Sequence, residues 1–344
     1  GYFFSKLFKS IDIFGLKTEF RLDQKEKFKT TSGGLFTFLY VGLVIFLFFS
    51  FGSNMINRES PETNVSQRYQ SIPSMTKVSK DDYFFVFGMQ NNKASHFIDE
   101  EIYSAVLTYA SKQNGSVVRK IIPLEPCSTE NMVNNPNLKK YFESQASSLS
   151  NLLCISKENT ANIIIQGAWD TPKFDYLAIK ITPCNKTART CKSDEEIKAV
   201  LKSSYFAFYS SDNLFDLNIE NPAVSFGRNY YIETTYAVKK IINRYLRTNQ
   251  ILSDDGWITS SISDTDYFSF DSDKESFELL DTFGENIVEI AIRKSYYESI
   301  LSRKYKKIQN VFAEMTGFLR IIFVVLYFLS NPFIKKEYYE SLTN

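Results

Sequence analysis

Apolar residues follow three different patterns along this chain, and each predicts a different kind of element. The first pattern is continuous. Leu35 to Phe51, LFTFLYVGLVIFLFFSF, carries no charge, and Gly33, Gly34 and Gly52 extend the uncharged run. At about 1.5 Å of rise per residue, a helix over this run crosses most of a hydrocarbon layer of roughly 30 Å. It lies too deep in the chain and runs too long for a cleaved signal peptide, so it predicts a transmembrane helix over 35–53. A second run, Val311 to Phe333, is interrupted by Glu314 and Arg320 and predicts a span over 308–333.

The second pattern has helical spacing. Phe4, Leu7, Phe8, Ile11 and Phe14 recur every three or four residues, with Lys6 and Lys9 off the stripe. This reads as an amphipathic helix lying on a membrane surface or packed against another subunit. Further on, helices are predicted over 137–148 and from Ser193 to about Leu201, where Ser193 and Glu196 form a capping box.

The third pattern is short and β-like. Runs rich in aromatic and β-branched residues lie at 83–87, 102–109, 117–122, 163–165, 176–181, 205–209, 230–242 and 287–292. Gln113-Asn114-Gly115 between two of them is a hairpin signal. Together they predict two transmembrane α-helices flanking a mainly-β (α+β) exoplasmic domain, an antiparallel sandwich with helical insertions.

Charge sets the orientation. Lys17, Arg21, Lys25, Lys27 and Lys29 precede the first span, whereas Arg58 alone follows it closely. The positive-inside rule therefore puts the N-terminus in the cytosol. The basic run Arg303, Lys304, Lys306 and Lys307 before the second span argues the other way, so the cytosolic C-terminus rests on parity. The expected order is a cytosolic segment (1–34), a span, an exoplasmic domain (54–307), a span and a cytosolic tail (334–344). Three sequons, at Asn64, Asn114 and Asn185, fall in the exoplasmic part. So do all four cysteines, Cys127, Cys154, Cys184 and Cys191, as an oxidising compartment requires. Four cysteines allow three pairings. The short spacing favours Cys184 with Cys191, leaving Cys127 and Cys154 to staple the helical insertion.

Candidate chemistry is sparse. A net charge of +1 gives no electrostatic footprint for nucleic acid. The single histidine, His96, lies in a polar stretch and reads as a surface residue. No nucleophile elbow, phosphate-cradling glycine loop or zinc signature occurs, so the chain reads as a non-enzyme without cofactor or metal. Asp254, Asp255, Asp264, Asp266, Asp271 and Asp273 have the oxygen chemistry for calcium, but the spaced D-x-D-x-D-G loop is missing. They read as a solvated acidic turn. Glu314 and Arg320 are the informative charges, because a charge in hydrocarbon is costly unless it snorkels or finds a partner. Six residues apart, they do not share a helix face. They predict an interfacial or snorkelling pair, an inter-helix contact, or a pore lining.

Both ends of the chain carry a resemblance. SKLFKSIDIF followed by EKFKTTSGGLFTFLYVGLVIFLFF is similar to the opening of the ERGIC family, through Asp12, Phe14, Phe28, Lys29, Thr30, Gly33 and Gly34. KIQNVFAEMTGFLRIIFVVLYFL resembles that family's second span, through Asn310, Val311 and Gly317. The family's closely spaced cysteine pairs are absent. The resemblance implies a two-pass cargo-sorting receptor of the early secretory pathway, with cytosolic termini and a lumenal β-rich domain that binds a protein. The residues themselves leave two alternatives open: a structural or anchoring subunit of a larger membrane assembly, and a two-span ligand-gated channel subunit. The expected partners are membrane lipid and other membrane or exoplasmic proteins.

Overall fold

A computed structural model describes residues 6, 9–10, 16–22, 25–79, 81–113, 115–130, 132–145, 149–156, 163–186 and 190–343. Most of the expected N-terminal amphipathic stripe, and Asn114, lie outside the described residues. The described chain forms two compact units.

The first unit comprises residues 1–62, 253–262 and 303–344. It holds a short antiparallel pair, β1 (Leu16–Leu22) and β2 (Lys25–Phe28), and two long helices, α1 (Thr31–Ile56) and α4 (Ile308–Thr343). Both helices are long and apolar enough to cross a membrane, and most of each apolar stretch is exposed. That exposure separates them from the core helix of a soluble domain. α4 runs without a break through the expected tail and carries Pro332 inside it.

The second unit comprises residues 63–252 and 263–302. Its strands are β3 (Glu62–Tyr69), β4 (Thr76–Val78), β5 (Phe85–Gln90), β6 (His96–Phe97), β7 (Tyr103–Gln113), β8 (Ser116–Ile122) and β9 (Leu124–Pro126). After helix α2 (Pro136–Gln145) come β10 (Leu153–Ile155), β11 (Ile163–Gly167) and β12 (Lys173–Pro183). After α3 (Asp194–Lys202) come β13 (Tyr205–Phe215), β14 (Ala223–Glu233), β15 (Val238–Asp254), β16 (Ile262–Leu279) and β17 (Val288–Lys304).

The strands make two sheets. One has the order β14-β13-β5-β10-β9, with β6 on β5. The other has the order β16-β15-β17-β12-β11-β4, with β3 on β17 and the β7–β8 hairpin on β12. Alternation along the strands sorts the side chains. Phe85, Phe87, Phe206 and Phe208 of the first sheet meet Leu107, Leu177, Ile179, Ile290 and Ile292 of the second in one core, which makes the unit a β-sandwich. Each fully buried Phe contributes about 1.5–3 kcal/mol. The intervening residues Phe84, Val86, Ala207 and Tyr209 point the other way and pack under Leu138 and Phe142 of α2. The first sheet is therefore covered on both faces, and β5 reads as an unbroken apolar run for that reason.

Three expectations are corrected. The run 230–242 is two strands, because the chain leaves β14 and turns at 234–237 before β15 begins. The acidic segment is no solvated turn beyond Asp255. Most of it is strand β16, with Asp271 bonded to Arg247 and Asp273 bonded doubly to Arg244 at 2.9 and 2.7 Å. His96 is buried rather than on the surface, with its Nε2 2.9 Å from the Tyr209 hydroxyl.

Candidate functional site

The two long helices form an antiparallel pair through an i, i+3, i+4 stripe on each. Phe36, Tyr40, Leu43, Leu47, Phe51 and Met55 of α1 pack against Val311, Met315, Leu319, Ile322, Leu326 and Ile334 of α4. Ring contacts between Phe36 and Phe333, Tyr40 and Phe323, and Phe48 and Phe312 follow the seam.

Both ends of the pair are tied by polar contacts. At the start of α1, the Thr30 hydroxyl accepts from Gly33 N at 3.0 Å as an N-cap. The Glu337 carboxylate, from the far end of α4, accepts from Thr31 N at 2.8 Å and Ser32 N at 3.1 Å. Those are first-turn amides with no partner inside their own helix. Gly33 and Gly34 are buried beside them. The Lys-Thr-x-x-Gly lead-in thus has a structural task, which is to cap α1 and keep its first turn slim.

At the opposite end, α1 stops at Asn57, and Arg58 turns out at φ 56°. The Arg58 guanidinium lies 4.6 Å from the Trp257 ring centre and 5.3 Å from that of Tyr305. Lys306 Nζ donates to Phe51 O at 3.0 Å and meets Glu314 at 2.5 Å. Lys307, which is buried, pairs with Asp254 at 2.8 Å. That lysine holds the Asp254 carboxyl well below the usual carboxylate range, and the amides of Ser261 and Gly256 add to the effect.

These contacts treat the two charges of α4 differently. Glu314 is neutralised by Lys306 at the end of the span, and the same lysine reaches across to α1. Arg320 is exposed and has no ion-pair or hydrogen-bond partner among the described residues. From Ile308 to Arg320 the helix climbs about 18 Å, more than half of a roughly 30 Å hydrocarbon layer. Arg320 is not alone on its face. Asn310, Ala313, Gly317, Arg320 and Val324 follow one another at three- and four-residue steps, all exposed and all turned away from the seam with α1. A Cβ placed on Gly317 would meet nothing within 4 Å. Ala313 and Gly317 make a small-x-x-x-small step, a spacing present in the sequence but not singled out from it.

The remaining sequence-marked residues lie elsewhere. Asn64 on β3 and Asn185 after β12 are exposed. Disulfides join Cys127 to Cys154 and Cys184 to Cys191. The first ties the segment carrying α2 to β10. No cluster of metal-ligating side chains occurs among the described residues.

The core strands decide the relationship. The family model described as "Uncharacterised 80 kDa protein N-terminal domain" matches residues 86–295, more than half of the chain. The chain belongs to this family. No curated protein matches it in sequence. Among solved structures, this chain is similar to a proton-activated chloride channel, at 7% identity and TM-score 0.31, over 89% of this chain and 97% of that one. It is also similar to Erv41p, at 12% identity and TM-score 0.25, over 67% of this chain and 99% of that one. The family match covers the sandwich, whereas the ERGIC resemblance rests on the helical ends, so the two share no residues.

Proposed function

We propose that this protein is a non-enzymatic, two-pass subunit of a larger membrane assembly. α1 and α4 cross the bilayer, the β-sandwich stands on the exoplasmic side as the partner-binding module, and both termini are cytosolic. Arg320 carries the reading. An unpaired arginine near the middle of a span costs about 2.5–3.5 kcal/mol against lipid. Side-chain length cannot relieve it by reaching α1, because the α1-facing seam lies on the other side of α4. A protein neighbour against the Asn310–Val324 face supplies the missing acceptor, and Ala313 and Gly317 let its backbone approach closely. The exposed sequons at Asn64 and Asn185 and the two disulfides support an oxidising, glycosylating compartment for the sandwich.

The test is the mass of the particle carried from its native membrane into lipid nanodiscs. The reading expects a complex well above the 39.8 kDa of one chain and its glycans. It also expects Arg320→Leu to shift the population toward single chains. A wild-type protein that is quantitatively a lone chain in lipid overturns it.

A further inference from the structure

The connection between β15 and β16 forms a rigid tip with an unusual allocation of side chains. Its Asp254–Lys307 pair is turned inward. Asp254 Oδ1 accepts from Gly256 N at 3.2 Å and Ser261 N at 2.9 Å. Lys307 Nζ, paired with the other carboxylate oxygen, donates also to Ser260 Oγ at 2.8 Å. Asp255 N donates to Ser261 O at 3.1 Å, closing the turn. Any side chain at Gly256 would meet Thr259 O at 1.8 Å, so glycine is required there.

The same tip is fastened to both helix ends. Ile308 N, the first residue of α4, donates to Trp257 O at 3.0 Å, and Gln309 Nε2 donates to Ile258 O at 2.9 Å. Arg58, just past α1, donates to Asp255 O at 2.7 Å and lies over the Trp257 ring. What the tip shows to the outside includes its large apolar side chains, beside Asp255, Thr259, Ser260 and Ser261. Trp257 is 48% exposed, Ile258 65% and Ile262 66%, and Ile56 at the end of α1 is 41% exposed. A turn that buries the Asp254–Lys307 pair while exposing a tryptophan and two isoleucines departs from the usual surface pattern.

We propose that this tip is a membrane anchor, with Trp257 and Ile258 seated in the headgroup–glycerol layer of the outer phospholipid leaflet. The proposal rests on α1 and α4 being membrane spans. The occupant follows from position, because the tip is bonded to the residues at which both apolar helices end, where the hydrocarbon surface lies. Tryptophan is the residue best suited to that layer, since its ring is apolar and its N–H needs a polar neighbour. Arg58, stacked on Trp257, places a cation at the height of the phosphates. The anchor fixes the height of the first turn of α4 independently of the α1–α4 seam.

The chain has two tryptophans, so Trp169→Phe leaves Trp257 as the sole reporter. Trp169 is 58% exposed and tolerates the change. The full-length variant is placed in phosphatidylcholine nanodiscs, with lipids carrying a nitroxide quencher near the carbonyl or near the chain terminus. The proposal expects the shallow label to remove most of the Trp257 emission, the deep label to remove little, and aqueous acrylamide to remove little. Loss to acrylamide with none to either lipid label overturns it, because Trp257 then faces water. Protection from all three quenchers also overturns it, because a protein then covers the ring. Alkaline carbonate washing of native membranes separates this failure from that of the underlying reading. Release of the chain from the membrane defeats the two-span reading, whereas retention of an unquenched Trp257 defeats the anchor alone.

Discussion

Lys294 is a charge that the sandwich holds at a cost. It is 2% exposed on β17, with Nζ bonded to the hydroxyls of Thr76 and Thr248 and set 5.5 Å from the Phe268 ring centre. Both of its hydrogen-bond partners are neutral. Burial pushes its pKa down to about 8, even though Glu298 and Asp266 act in the opposite sense. An unfolded lysine titrates near 10.4. Below pH 8 both states are protonated, and the folded one carries the full penalty. As pH rises from about 8 to about 10.4 the penalty fades, because the folded lysine is then neutral. The difference of somewhat more than two units corresponds to about 3 kcal/mol. Lys294→Met removes that penalty but forfeits two hydroxyl contacts, at about 1 kcal/mol each. The net gain is about 1 kcal/mol at pH 7, or roughly 2–4 °C in Tm for a domain of this size. The assay is paired thermal unfolding of the full-length wild type and variant in one detergent at pH 7 and near pH 10.5. The advantage should vanish or change sign at the higher pH. An equal difference at both pH values, or a variant less stable at pH 7, would refute the reasoning and show that distant carboxylates offset the burial of the charge.

Three further outcomes follow from the geometry. Glu337→Ala leaves the Thr31 and Ser32 amides uncapped and should lower the stability of the α1–α4 pair by about 1 kcal/mol, with Glu337→Gln intermediate; thermal unfolding in nanodiscs reads both. Because its partners hold the Asp254 carboxyl below its unfolded value, its stabilisation is present above about pH 4 and is lost as pH falls further. Amide protection factors across 253–262, taken relative to the intrinsic rate at each pH, should therefore stay high at neutral pH and fall below about pH 4, and Asp254→Asn should lower them already at pH 7. Replacing Cys127 and Cys154 by serine releases a 27-residue separation, against 7 for Cys184 and Cys191. By loop entropy the first pair should cost about 3–4 kcal/mol and the second about 1 kcal/mol less, read as Tm under non-reducing conditions.

The elements most legible in the sequence are those that local rules specify. Leu35–Phe51 needs only length and apolarity to be read as a span. The Ser193–Glu196 capping box is local as well, and both of its hydrogen bonds are present. What stayed hidden depends on partners far along the chain. β16 reads as acidic loop because Asp271 and Asp273 gain their meaning from Arg247 and Arg244 on the neighbouring strand. His96 reads as exposed because the Tyr209 hydroxyl that satisfies it lies 113 residues away. Glu314 finds Lys306 rather than a helix-face neighbour, because that lysine precedes the first turn of α4 and is free of its 3.6-residue spacing. Arg320 is the opposite case. Its six-residue distance from Glu314, off that residue's helix face, was visible in the sequence, and the seam formed by α1 shows on which side of the helix it lies.

Photo-cross-linking in the native membrane tests most directly for a protein neighbour on that side. Benzoylphenylalanine is placed at Gly317 or Val324 on the outer face of α4, and at Leu326 in the seam as a control. The account predicts discrete protein adducts from Gly317 and Val324, to a second copy or to another chain, and none from Leu326 beyond its own chain. Adducts to lipid alone from both outer positions would contradict it.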